Sequence, residues 1–145
     1  MNLREFLEKL IWQENEMYNL HKLGETFATF EKPEFVDTFR LMAEEELRHR
    51  KTLESILSDG SLKNTYVADS LELFLMEPML EDKRAEPSDF KELILEALIR
   101  EKHAYQLYMR FSEVLESSLG HIFKMMANEE LKHGYRLKIM YETLE

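Results

Sequence analysis

Apolar residues recur at spacings of three and four along four long stretches of this chain, the period that gathers them onto one face of a helix. The first stretch runs from about Leu3 to about Phe30, with Leu3, Leu7, Leu10, Met17, Gly24 and Ala28 on its seam. After Glu31-Lys32-Pro33 the second continues to about Ser58 through Phe35, Phe39, Met42, Leu53 and Ile56. Pro33 suits the first turn of that helix, and Asp59-Gly60 supplies a stop. The third begins at Ser88 or Asp89, where Asp89 and Glu92 have capping-box spacing, and reaches about Glu116 through Phe90, Ile94, Ala97, Ala104, Phe111 and Leu115. Ser117, Ser118 and Gly120 mark a second short turn, and the fourth seam carries Leu119, Phe123, Met126, Leu137, Met140 and Leu144.

Each seam is broken by polar residues at its own period: Glu14 and His21, Glu46 and His49, Glu101 and Tyr108, Glu130 and His133. Two of the breaks sit in near copies of one text, FRLMAEEELRHR at 39–50 and FKMMANEELKHG at 123–134. In both, a Glu precedes a His by three residues, which puts carboxylate and imidazole on one helix face where they can bind one metal ion. The halves repeat: Glu14 to Glu101 is an offset of 87, and Glu46-His49 to Glu130-His133 an offset of 84, with the difference assigned to the turn between helices. Glu44, Glu45 and Glu129 fall off the seam or at its edge and read as solvated acids, and His103 and His121 as surface residues. The nine methionines read as core filling.

Residues 61–88 form a long connection with one candidate short helix, Ser70 to Met76, punctuated by Pro78 and Pro87. It is too long for a helical turn and long enough to cross a bundle, so the third helix is expected to start at the end where the first one starts. The predicted fold is all-α: a single domain over 1–145, with a helix pair at 1–60, a crossover at 61–88 and a second pair at 89–145. Within each pair a short turn makes the helices antiparallel, so levels can be counted. At about 1.5 Å per residue, Glu14 and Glu46 fall within roughly 3 Å of one level, and Glu101 and Glu130 within roughly 8 Å. Packed together, the pairs bring four carboxylates and two imidazoles into one layer.

Composition narrows the chemistry. Four glycines, three prolines and few β-branched residues fit helices. No cysteine means no disulfide, zinc ribbon, iron–sulfur cluster or thiol catalysis, and agrees with a cytoplasmic protein. No uncharged apolar run reaches about 18 residues, and MNLREFLEKLIWQENE lacks the apolar run of a secretory signal, so no membrane association is expected. A net charge of -10 argues against nucleic acid as a partner; its plain reading is solubility, and its other reading is that some of the acids work in the interior. Four carboxylates buried together repel one another unless cations balance them. Two divalent ions would do so, and mixed oxygen and nitrogen ligation suits iron or manganese best, with zinc as the alternative.

A Glu on the first helix, ExxH on the second, Glu on the third and ExxH on the fourth resembles the dinuclear carboxylate pattern of ferritin-like proteins. The text AEEELRH and ANEELKH is most similar to the rubrerythrin branch. The resemblance implies two iron ions per chain with Glu14, Glu46, His49, Glu101, Glu130 and His133 as ligands, Glu46 and Glu130 bridging, Glu14 and Glu101 terminal. It implies a redox enzyme that reduces hydrogen peroxide or reacts with dioxygen, as a homodimer. The chain departs from that branch in lacking the cysteines of a rubredoxin domain, so electrons come from an external carrier. It also departs in having Ala104 where rubrerythrins carry a further Glu. An iron-binding or ferroxidase protein without reductive turnover, and a structural or regulatory bundle holding zinc or nothing, are the rival readings. His21 and Tyr108 occupy equivalent seam positions two turns beyond Glu14 and Glu101. Rubrerythrins typically have a Tyr there; such a group either hydrogen-bonds a terminal carboxylate and supplies a proton or electron, or is a buried polar tip partnered elsewhere. Tyr18 and Tyr105 are weaker candidates for the same role.

Overall fold

Four helices form where the seams predict them. The computed structural model describes residues 1–59, 66–80, 86–115 and 117–144, with side chains for all of these except 78–80 and 117. Its elements are α1 (Leu3–Glu31), a 3-10 turn (Pro33–Phe35), α2 (Val36–Ser58), α3 (Asp69–Leu80), α4 (Phe90–Val114) and α5 (Ser117–Thr143). The fold is all-α, and the described residues contain no strand beyond an isolated bridge between Asn2 and Tyr66. No helix among them is long and apolar enough to cross a membrane.

Local chemistry sets the helix ends. The Asn2 side chain caps α1 by accepting the Glu5 N–H at 2.9 Å. Asp89 caps α4 by accepting the Glu92 N–H at 2.8 Å, while Glu92 reaches back to the Ser88 N–H and hydroxyl, both at 2.9 Å. The capping box thus closes on Ser88. Pro33 opens the 3-10 turn that feeds α2, and Asp59 ends α2; Gly60 lies outside the described residues. The second turn is tighter than expected. Leu115 is extended and α5 has already begun at Ser117, so Ser118 and Gly120 belong to the first turn of the helix; Glu116 lies outside the described residues. A Cβ on Gly120 would meet the Leu115 carbonyl oxygen at 2.7 Å and that of Ser112 at 2.9 Å, so the reversal depends on glycine.

Helix α1 packs on α2 and α4 on α5, and the pairs meet through α1 with α4 and α2 with α5. The seam residues are buried, except that Phe35, Ile56, Leu115, Leu119 and Leu144 near the helix ends are half-buried. A neighbouring stripe that includes Phe6, Ala43, Leu93, Leu107 and Ala127 is buried with them. The apolar interior forms two groups. One holds Leu3, Phe6, Leu53, Phe111 and Phe123, the other Ala28, Phe39, Phe90, Leu137 and Met140. At Gly24, α1 and α2 approach so closely that a Cβ would lie 2.4 Å from the Phe39 ring.

The direction of α4 corrects the expectation that it starts where α1 starts. Phe90 packs on Phe35 and Phe39, at the end where α1 finishes, while Phe111 packs on Phe6. The reason is simple geometry: α2 already returns the chain to the end where α1 starts, so a connection spanning the molecule delivers α4 to the opposite end, antiparallel to α1. Within that connection, Val67 donates its N–H to the Met1 carbonyl at 2.8 Å, and α3 runs over Asp69–Leu80, past Pro78 and beyond the predicted Ser70 to Met76. Gln13 donates to the Leu75 carbonyl at 2.8 Å, so α3 lies against α1 as well as α4. His103 is half-buried rather than a surface residue, with Nε2 2.7 Å from the Phe74 carbonyl oxygen.

Candidate metal centre

Among the described residues, seven Glu and His side chains are buried with the apolar residues: Glu14, His21, Glu46, His49, Glu101, Glu130 and His133, none more than 3% exposed. The helical period of each seam brings them inward, α1 giving Glu14 and His21, α2 Glu46 and His49, α4 Glu101, and α5 Glu130 and His133. Tyr108 of α4 is buried beside them. All eight residues singled out in the sequence therefore converge.

They form two groups able to hold a metal ion. Glu14, Glu46, His49 and Glu130 present ligand atoms within 4.8 Å of one another, and so do His21, Glu46, Glu101 and His133. Glu46 belongs to both. The histidines cross between the repeats. His49 Nδ1 lies 3.0 Å from Glu130 Oε1, 3.6 Å from Glu14 Oε2 and 3.8 Å from Glu46 Oε2. His133 Nδ1 lies 2.8 Å from Glu46 Oε1, 3.2 Å from Glu101 Oε1 and 3.8 Å from Glu130 Oε1. Each imidazole is thus closer to the carboxylate of the opposite ExxH than to the one three residues before it.

The outer nitrogens have partners that the sequence reading set aside. His49 Nε2 is 2.5 Å from Glu129, and His133 Nε2 is 2.8 Å from Glu45. Arg48 reaches Glu129 at 3.4 Å and Arg136 reaches Glu45 at 3.3 Å. Glu45 and Glu129 are therefore not merely solvated. A carboxylate on Nε2 fixes the ring and leaves Nδ1 turned to the cluster, the arrangement that orients imidazole toward a metal. One signal for them was present: each directly precedes an ExxH glutamate, at the same offset of 84.

His21 and Tyr108 also cross between halves. Tyr108 donates its hydroxyl proton to Glu14, and His21 Nε2 lies 2.7 Å from Glu101 Oε1. Tyr108 on α4 thus meets the buried Glu of α1 and His21 on α1 that of α4, because α1 and α4 are antiparallel. Tyr18 and Tyr105, the weaker candidates, are half-buried, and Tyr105 packs on the apolar group that contains Phe6.

Burial and mutual repulsion dictate the protonation of the metal-free cluster. Desolvation, then the charges of Glu130, Glu14 and Glu101, raise Glu46 well above the carboxylate range; desolvation and Glu130 do the same to Glu101. Burial raises Glu130 too, but the close approach and charge of His49, with the charge of His133, outweigh it and leave Glu130 depressed. For His49, burial is outweighed by the hydrogen bond to Glu129 and the nearby carboxylates of Glu130, Glu14 and Glu46, so its affinity for a proton rises. His133 rises likewise through Glu101, Glu45 and Glu46. His21 goes the other way: burial, then repulsion from His133, lowers it to about 3. The hydrogen bond from His133 holds Glu45 down at about 2, and desolvation first, then Glu14, raises Tyr108, which stays a neutral phenol.

The cluster fits metal ions because of what it leaves unsatisfied. Both carboxylate oxygens of Glu46 and Glu130, one each of Glu14 and Glu101, and Nδ1 of His21 and His49 are buried without an aligned hydrogen-bond partner. Such orphans cost free energy in an apolar interior, and cations would satisfy them together. A cavity of about 20 Å³ beside Glu14 is lined by Gln13, Met17, Arg100, His103, Ala104 and Tyr108, room for one molecule of water size. The small side chain of Ala104 helps to open it. No protein family, curated protein or solved structure matches the chain.

Proposed function

We propose that the chain is a ferritin-like, rubrerythrin-type di-iron protein that reduces hydrogen peroxide or reacts with dioxygen, using electrons from an external carrier. The observation that carries this reading is the pair of buried groups sharing Glu46, with four carboxylates and three imidazoles between them, two of the imidazoles from the repeated ExxH frame. Glu14 and His49 would hold one ion, Glu101 and His133 the other, with Glu46 and Glu130 between them. Oxygen and imidazole donors together favour iron or manganese, and four carboxylates balance two divalent charges.

When bound, the two irons supply the electron pair that reduces the oxidant. The chain's own residues do the rest. Glu129 and Glu45 hold the Nε2–H of His49 and His133, so that Nδ1 stays directed inward. Tyr108 keeps Glu14 oriented from the edge of the small cavity and carries a proton there. A space of that size has room for one water beside Glu14 and excludes larger organic substrates. The apolar groups containing Phe111 and Phe39 keep bulk water from the cluster. Reduction of peroxide consumes two electrons and two protons and yields two waters, so the external carrier must return two electrons per turnover while the cluster's acids accept the change in charge.

The test is to reduce the iron-loaded protein anaerobically, add one equivalent of peroxide and follow the visible spectrum. Oxidation within seconds, reversed by a chemical reductant over repeated cycles, supports the reading. Iron that binds and is not oxidised leaves an iron-binding protein, and a chain that takes up zinc alone leaves a structural bundle.

A further inference from the structure

We propose that the two ends of the centre are unequal, because His21 is itself a ligand of the ion held by Glu101 and His133. That end would then carry two imidazoles, whereas the end at Glu14 and His49 carries one, and it would fill first. The inference rests on the dinuclear reading above and adds a ligand and an order of loading to it.

The repeat makes the inequality visible. Tyr108 and His21 occupy the same place in the two halves, and each contacts the opposite terminal glutamate. A neutral phenol that donates its proton to Glu14 supports a ligand without becoming one. An imidazole at the same place can bind metal. His21 is fully buried, its Nδ1 has no aligned hydrogen-bond partner, and it offers a ligand atom within 4.8 Å of those of Glu46, Glu101 and His133. Its Nε2 lies 2.7 Å from Glu101 Oε1, near the separation of about 3 Å between neighbouring ligand atoms on one ion with bonds of about 2.1 Å. The rings of His21 and His133 stand edge to face with centroids 5.7 Å apart, so both can address one position without stacking. Among first-row ions, imidazole selects Fe, Co, Ni, Cu and Zn over Mn, which prefers carboxylate oxygen. The His21 end therefore favours the former and the Glu14 end tolerates the latter, so the centre can hold two different metals.

The experiment titrates the metal-free full chain with Co(II), following visible absorption and heat of binding. The wild-type chain should bind in two steps, the first tighter by at least about tenfold. His21→Gln, which retains a hydrogen-bonding group for Glu101, should lose the tight first step and its absorption, while Glu44→Ala, at an exposed position of α2, should keep both. In His21→Ala, added imidazole should restore the tight step. Helical content by circular dichroism confirms that each variant folds. Equal affinities in the wild-type chain, or a first step unchanged in affinity and spectrum in His21→Gln, would overturn the inference and leave the dinuclear reading standing. No Co(II) binding by the wild-type chain would remove both.

Discussion

His133 Nδ1 lies 2.8 Å from Glu46, on a helix from the other half of the chain, and 3.8 Å from Glu130, one turn before it on its own helix. His49 repeats the relationship, 3.0 Å from Glu130 and 3.8 Å from Glu46. The ExxH spacing thus places each pair on a common face without making it a self-contained clip. Antiparallel α2 and α5 interleave the two, and the centre exists only when both halves dock.

Removing a shared carboxylate should therefore damage both ends of the centre. Glu46→Ala is expected to lower metal content sharply, below one ion per chain, whereas Glu14→Ala should spare the end at Glu101 and His133. Metal analysis of the purified variants, with circular dichroism to confirm retained helix, distinguishes the two.

The outer carboxylates should matter less than the inner ones but measurably. Glu45→Ala and Glu129→Ala each remove the group that orients a histidine, and loss of such a partner costs about 10- to 100-fold in metal affinity. Competition with a chelator of known affinity reads this directly. Glu44→Ala, on an exposed position of the same helix, serves as the control.

Metal affinity should rise with pH. Glu46, Glu101, His49 and His133 all hold protons more tightly in the metal-free fold than in a free chain, and an entering cation displaces those protons. Calorimetry in buffers of different ionisation enthalpy should show net proton release on binding.

The same groups set the pH dependence of metal-free stability. The stabilisation from the raised His49 and His133 is fully present below their ordinary value of 6.5 and is lost as pH rises through their folded values. Raised Glu46 and Glu101 add a slope of the same sign above the ordinary carboxylate value of 4.5. His21 is depressed, so its contribution is complete above 6.5 and adds no slope there. The melting temperature of metal-free protein should fall between about pH 7 and about pH 9. Saturating metal should flatten that dependence.

Gly24→Ala tests the α1–α2 contact one turn beyond His21, whose ring lies 6.3 Å from that of Phe39. Its Cβ would meet the rigid, buried Phe39 ring at 2.4 Å, and overpacking of this kind costs about 1–3 kcal/mol. Thermal or denaturant unfolding of the metal-loaded variant should show that loss with metal content unchanged.

The four long helices and the buried polar residues were legible because one periodicity governs both: a polar residue on an apolar seam is carried inward with it. Tertiary pairing was not legible in the same way. A seam says that His21 and Tyr108 point inward, but only the antiparallel packing of α1 and α4 sends them to Glu101 and Glu14. Glu45 and Glu129 sit one residue off the seam, where a long side chain still reaches a neighbouring helix, so period alone files them with surface acids. The second turn misled because Gly120 reads as a loop residue, whereas it serves inside α5 by letting backbone from Ser112 and Leu115 come close. The α3 boundaries were misread because Pro78 looks like a stop, and the helix continues to Leu80.

The most direct test of the central claim is the iron stoichiometry and magnetic coupling of the protein after anaerobic loading with ferrous iron and subsequent oxidation. Two irons per chain held between shared carboxylates are expected, coupled so that Mössbauer spectroscopy shows a diamagnetic ground state and electron paramagnetic resonance shows no isolated ferric signal. A single iron per chain, two uncoupled ferric ions, or no bound iron would contradict the dinuclear reading.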